Sequence, residues 1–297
     1  MISLRNVQDI RKITIEDKSY PKLLKEIKNA PKILYYRGSL PQAEENCFAI
    51  VGTRLYSTYG KQLALEIAGD LAGTGLTIVS GLAPGIDAFC HQATVEQGKR
   101  TIAVLGTGLD EKSIYPQSNL KLVEKILEIG GCLISEYPPG TRGTQFTFPQ
   151  RNRMVAGLSL GVLVVESKIK GGALITAEWA KRYKRKVFAV PGSVYSSNSK
   201  GCHYLIKQGA KLAENANDIL KELNINLSID KNNKFNKSDN KEEVLILKIL
   251  KEGSLDVDKI IERTKLPAPK VASLLAVLEI KGNVRNLGGN IYAISHC

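Results

Sequence analysis

The segment FPQRNR, Phe148 to Arg153, sets an aromatic ring and two arginines around Asn152, just ahead of the apolar run LGVLVVE. A guanidinium fork grips phosphate oxygens in bidentate fashion, and an aromatic face stacks on an unpaired base. Phe148, Arg151, Asn152 and Arg153 together therefore suit single-stranded nucleic acid. The plainer reading is that arginines at a loop-to-helix junction are solvated or paired with carboxylates, and that Phe148 anchors a core. A motif this short does not decide between them.

The elements that must carry this segment are legible as alternation. From Cys47 onward, short β-branched runs (CFAIVG, LTIVSG, RTIAVLG, CLISE, LGVLVVE, KVFAV) alternate with longer amphipathic ones. Strands without polar alternation are buried on both faces, and helical connections between them imply a parallel sheet covered on both sides. The fold class expected is α/β, a Rossmann-like doubly wound and mostly parallel sheet. Right-handed crossovers put all strand C-termini on one edge, where such sheets bind ligands. Every distinctive motif falls on that edge: Gly52, Thr53 and Arg54 after the first strand; Ser80, Gly81 and Gly85 in SGLAPGID after the second; Gly106 and Gly108 in GTGLD, with Tyr115-Pro116 nearby, after the third; SEYPPG after the fourth; Gly171, Gly172 and Thr176 in KGGALITAE after LGVLVVE. Glycines there let backbone amides approach phosphate, and helix N-termini add partial positive charge, so the sequence predicts a long anion-binding rim. GxGxxG is absent after the first strand, and no acidic residue closes the second strand to hold a ribose. GxxxxGK[ST] is absent throughout. Neither a dinucleotide nor a nucleoside triphosphate is expected, and no cofactor is assigned.

At 297 residues the chain is long enough for a large and a small domain. Its formal net charge of +13 favours a polyanionic partner, and Cys47 to Ile225 carries 21 Lys+Arg against 14 Asp+Glu. The five cysteines, Cys47, Cys90, Cys132, Cys202 and Cys297, are widely spaced, with no CxxC pair or histidine spacing for zinc. They read as thiols in a reducing cytoplasm. No segment approaches the roughly 18 apolar residues of a membrane span, and the N-terminus lacks a signal-peptide core. Residues 1–46 are expected to form a short extension packing on the core, 47–225 the Rossmann-like domain, and 226–240, rich in Asn, Lys and Ser, a flexible linker. From 241 to 297 three helices and a hairpin turning at Gly288-Gly289 give the order of a small winged-helix domain. Its third helix carries Lys270 and then mostly Ala, Leu and Val, which fits a protein-docking module as well as a duplex reader.

These motifs, in this order and almost continuous from about residue 47 to 213, resemble the DNA-processing protein A family (DprA, also called Smf). The upstream YPKLLKEIKNAPKILYYRGSL also looks like the segment preceding that family's Rossmann-like domain. The resemblance implies a non-catalytic protein that binds single-stranded DNA, forms a homodimer and helps load RecA recombinase during natural transformation. It implies that Arg54 grips phosphate, that Phe148, Arg151 and Arg153 line the DNA site, and that His203, Ile206 and Leu212 form the dimer contact. Where relatives commonly carry lysine, this chain has Gln117 and Gln145, with Lys112, Arg142 or Lys170 as candidate substitutes. The N-terminal domain of many relatives is expected to be shortened or lost. One rival is a lysine-decarboxylase-like nucleoside-monophosphate phosphoribohydrolase, which GGALITAE resembles without its Pro and Gly-Thr pair. That reaction would call on a carboxylate such as Glu136, Glu166 or Glu178. The other rival is a winged-helix regulator that binds duplex DNA.

Overall fold

The computed structural model describes residues 10–42, 45–225, 240–250, 253–280 and 283–294. The chain divides into two compact units, Met1–Ile229 and Asp230–Cys297. Cys297 and, apart from Asn240, the expected linker 226–240 lie outside the described residues.

The first unit is built on a nine-stranded sheet. It opens with β1 (Arg11–Thr14), α1 (Lys22–Lys25) and β2 (Ile33–Gly38), followed by β3 (Cys47–Val51), α2 (Thr58–Gly73), β4 (Thr77–Ser80), α3 (Ile86–Glu96) and β5 (Thr101–Leu105). Next come α4 (Leu120–Glu128), β6 (Cys132–Ser135), α5 (Thr147–Gly157), β7 (Gly161–Val164) and α6 (Gly172–Arg182). It closes with β8 (Lys186–Ala189), α7 (Lys200–Lys207), β9 (Lys211–Leu212) and α8 (Ala216–Glu222). The strand order is β1-β2-β6-β5-β4-β3-β7-β8-β9, parallel from β6 to β9. The chain winds outward from β3 to β6, then returns to the far side of β3 and winds the other way through β7, β8 and β9. That reversal is the doubly wound topology, and it leaves a crevice between the C-terminal ends of β3 and β7. The segment before Cys47 does more than pack on the core. Its β2 pairs antiparallel with β6 and its β1 antiparallel with β2, lengthening the sheet at that edge.

Burial follows the pleat. Cys47, Ala49 and Val51 of β3 face one apolar layer, with Met154 and Val155 of α5 and Ala173 and Ala177 of α6. Phe48 and Ile50 face the opposite layer, with Ile67 and Leu71 of α2 and Cys90 of α3. Each helix is set by its own sequence. In α2, Ser57 caps the start by accepting the Gly60 N–H at 3.0 Å. Its buried positions Gly60, Ala64, Ile67, Ala68 and Leu71 then recur at helical spacing.

The second unit is a winged-helix domain. It contains α9 (Lys241–Leu250), β10 (Leu255–Asp256), α10 (Val257–Thr264), α11 (Ala268–Ile280) and the hairpin β11 (Val284–Asn286) with β12 (Ile291–Ile294). Ile246, Ile260, Val271, Leu275, Val284 and Ile294 form its core. Asp256 caps α10 through the Lys259 N–H, and Lys270 of α11 reaches Glu242 at 2.6 Å. Among the described residues no helix is long and apolar enough to cross a membrane.

Candidate functional site

A cavity of about 600 Å³ opens at the C-terminal ends of β3 and β7, at the point where the winding reverses. It brings together much of what the sequence singled out. Gly52, Thr53 and Arg54 come from the turn after β3, Gly81 from the end of β4, and Gln145, Phe148, Arg151 and Asn152 from α5 and the loop before it. Gly171, Gly172 and Thr176 come from the start of α6. Ser80, Gly85, Gly106, Gly108, Gln117 and Arg153 are not among its lining residues.

Its floor departs from the expected anion cradle. Asp87, near the start of α3, is 6 % exposed, and its carboxylate accepts the Gly52 N–H at 3.3 Å and the Gly81 N–H at 3.1 Å. The Ala83 amide also stabilises its charge. Two of the backbone donors that were expected to meet phosphate are thus occupied by a resident anion. Burial raises the Asp87 pKa, and the adjacent Arg151 cation with these amides pulls it back.

Arg151 and Arg153 also depart from the phosphate-gripping role. Arg151 is 4 % exposed, and its Nη1 donates to the carbonyls of Gly81, at 2.5 Å, and Val104. Burial pushes its pKa down to about 10, with Asp87 opposing, so it remains a cation at neutral pH. Its work is to tie α5 to the ends of β4 and β5. Arg153 is 6 % exposed and forks onto Glu136, with Nη1–Oε1 at 2.6 Å and Nη2–Oε2 at 2.7 Å. Its Nε donates to the Asn29 carbonyl. One helix turn carries both residues inward, and their charge is spent on protein partners. Asn152 sits between them, accepting from Arg151 Nε at 3.2 Å and donating to the Gly172 carbonyl at 3.2 Å.

The cationic rim comes from elsewhere. Arg54 is exposed, and its guanidinium lies over the Phe148 ring, 5.5 Å from the centroid. Lys168 and Lys170 are exposed on the loop between β7 and α6. Lys170 was one candidate substitute for the missing lysines; Lys168 was not singled out. The Arg54 turn hangs from Glu166, which is 2 % exposed. The Glu166 carbonyl accepts the Thr53 N–H at 2.9 Å, and its carboxylate accepts Ser57 N–H at 2.9 Å and Ser57 Oγ at 2.6 Å. Phe148 is half-buried beside Tyr115, with ring centroids 5.5 Å apart, and a Cβ on Gly106 would come within 3.0 Å of its ring. Gly106 thus makes room for the aromatic ring.

Of the remaining sequence candidates, some make contacts within the fold and others line the cavity. Ser80 is buried and donates to the Ile50 carbonyl. Gly85 precedes α3 with φ +86, where a Cβ would meet the Thr53 carbonyl at 2.6 Å. The Gly108 amide donates to Thr141. Gln117 is exposed, but its amide donates to the carbonyls of Glu111 and Ile114 at 2.9 Å. Gln145 is exposed at the cavity. Thr176 is buried along the cavity wall, and Gly171 caps α6.

In the segment expected to make a dimer, Leu212 is 47 % exposed on the edge strand β9, and Tyr204 of α7 is also exposed. His203 Nε2 lies 3.0 Å from the Gly192 carbonyl, and Ile206 packs on the core.

Residues 11–224 match the family model for DNA recombination-mediator protein A, and residues 236–290 match that for the DprA winged helix domain. The DNA processing protein DprA of Streptococcus pneumoniae is 43% identical over 218 residues, spanning 73% of this chain and 76% of that protein. Protein Smf of Escherichia coli is 36% identical over 284 residues, spanning 93% of this chain and 75% of that protein. Among solved structures, the X-ray structure of the S. pneumoniae protein overlays with a TM-score of 0.67 at 42% identity, covering 73% of this chain and 76% of that one. DNA processing protein A from Helicobacter pylori, whose structure concerns its single-stranded DNA binding mode, overlays at 0.64 with 29% identity, covering 75% of this chain and 100% of that one.

Proposed function

The chain belongs to the DNA recombination-mediator protein A family, and from that premise we propose that it is a non-catalytic, cytoplasmic protein that binds single-stranded DNA as a homodimer and helps load RecA recombinase during DNA uptake. The observation that carries the DNA-binding reading is the cavity at the switch point, open to solvent and rimmed by Arg54, Lys168, Lys170 and the Phe148 ring. Side-chain cations and one aromatic face serve a phosphodiester chain with splayed bases and offer little to base edges, which favours binding without strong sequence preference. The H. pylori relative is described as binding single-stranded DNA, in keeping with this assignment.

The carboxylates that the phosphoribohydrolase reading called on are placed otherwise. Glu136 is held by Arg153, Glu166 accepts from Ser57, and Glu178 is exposed on α6 away from the cavity lining. Asp87 does line the cavity, but its oxygens already receive backbone N–H groups. A general acid or base needs a carboxylate within reach of substrate, and these positions favour binding over catalysis.

The test is a titration of the purified protein with labelled single-stranded and blunt duplex DNA of equal length across a salt series. Single strands are expected to bind more tightly, with the slope of log K against log salt steepening by about 0.7 for each phosphate neutralised. Equal affinity for the duplex, or a flat salt response, refutes the assignment.

A further inference from the structure

Beside the cavity, two loops converge that no acidic residue interrupts. The first, Gly52 to Ser57, follows β3 and runs into the first turn of α2; the second, Pro191 to Ser199, follows β8 and runs into α7. They are tied together at two points: Asn198 Nδ2 donates to the Leu55 carbonyl at 2.7 Å, and the Tyr59 hydroxyl donates to the Pro191 carbonyl at 2.6 Å. The second loop is also anchored from below, where the Asn198 carbonyl accepts the Ser167 N–H at 2.7 Å. Yet this braced pair of loops turns large apolar groups outward. Leu55 is 73% exposed, Val194 69% and Tyr195 95%, with Tyr59 half-exposed beside them. Leu55 is itself part of the cavity wall, so the apolar surface continues out of the cavity.

Single exposed apolar groups are ordinary, but several large ones gathered on braced turns mark contact sites. Two features select the occupant. Leu55 also lines the cavity, and the two loops with the first turns of the helices that follow them carry Arg54, Lys61 and Lys200 and no acidic residue, the exposed Glu214 acting on Tyr59 from outside them. Aromatic and aliphatic faces flanked by cations fit the bases and phosphates of an unpaired strand, since every base offers a π-face and the backbone follows positive charge. We infer that Leu55, Val194 and Tyr195 form a base-stacking shelf that receives the nucleotides of a single strand as it leaves the cavity. This rests on the single-stranded DNA reading of the cavity and extends the path toward α7.

The shelf is tested by length. Fluorescein-labelled oligothymidylates of about 4 nucleotides, short enough for the cavity alone, and of about 16 nucleotides are titrated against wild type, Tyr195→Ala and Tyr195→Phe, with the mass of each protein measured by light scattering. Tyr195→Ala is expected to weaken the longer oligonucleotide by about 5- to 150-fold, the loss of one stacked base, while the shorter binds as before. Tyr195→Phe keeps the ring and is expected to restore binding, and the salt slope stays unchanged because no charge is removed. Unchanged binding of the long strand, or equal loss for both lengths, overturns the shelf and leaves the cavity standing. A lower mass for Tyr195→Ala also overturns it, assigning the ring to a contact between two copies of the chain. Wild type that binds neither oligonucleotide overturns the DNA reading itself, and the shelf with it.

Discussion

Arg54 and Phe148 are the proposed working pair of the cavity: both line it, and the exposed Arg54 guanidinium lies over the half-buried Phe148 ring. Their contributions differ in kind and separate by salt. Arg54→Ala is expected to weaken all single strands alike and to flatten the salt slope by about 0.7, one phosphate's worth. Phe148→Ala is expected to lose about 1–3 kcal/mol of stacking with little change in slope. A salt titration of both variants with one oligothymidylate reads the two effects, and wild-type behaviour in both places the strand elsewhere. A different residue contributes to acid sensitivity. His91 is fully buried on α3, beside Thr101, and burial with the nearby Arg151 cation lowers its pKa from 6.5 to about 3. The unfolded chain takes up that proton first, so the stability gained by keeping His91 neutral is present above pH 6.5 and drains away as pH falls toward 3. At about pH 5.5 the loss is on the order of 1 kcal/mol. Urea denaturation at about pH 7.5 and pH 5.5 should show this loss in wild type and a smaller one in His91→Asn.

At the scale of elements, α5 is held by its charges. Arg151 spans to the ends of β4 and β5, while Arg153 clamps the helix to Glu136 beyond β6 and to Asn29. Removing one partner of a buried ion pair strands the other, so Arg153→Ala is expected to cost about 3–5 kcal/mol in denaturant unfolding. The double change Arg153→Met with Glu136→Leu should recover most of that, since an apolar pair of similar volume leaves no charge uncompensated. If Arg153→Ala is instead fully stable and loses DNA affinity, Arg153 is a phosphate ligand after all. The Arg54 turn shows the same economy, with the buried Glu166 fixing both the start of α2 and the residues that carry Arg54 to the rim.

At the scale of the whole molecule, the proposed dimer joins two cavities into one longer path and raises avidity without new DNA contacts. The structure decides which substitution tests it. Ile206 packs on the core, so a charge there threatens the fold, whereas Leu212 stands half-exposed on the edge strand. Leu212→Glu is expected to give a folded monomer by light scattering, with weakened binding of long strands and unchanged binding of one-site oligonucleotides. A variant that remains dimeric removes β9 from the interface.

The alternation of unbroken apolar runs with amphipathic ones fixed the doubly wound sheet and the ligand edge, because burial on two faces and right-handed crossover are local and topological rules. The order of helices and hairpin likewise revealed the winged-helix domain. What the one-dimensional pattern left undecided was the direction of side chains. Arg151, Arg153 and Arg54 are alike as letters, yet Arg151 and Arg153 point inward from α5 to carbonyls and Glu136, whereas Arg54 points outward from a turn. Asp87, the last residue of SGLAPGID, has no role legible in the sequence, yet its carboxylate occupies the amides of Gly52 and Gly81 at the ends of β3 and β4. Two strands ahead of Cys47 join the sheet through β2, whose partner β6 lies far along the chain, with β1 pairing on β2. Long-range partners determine burial, and burial determines whether a charge serves the fold or remains available to a ligand. Only the tertiary structure sets that.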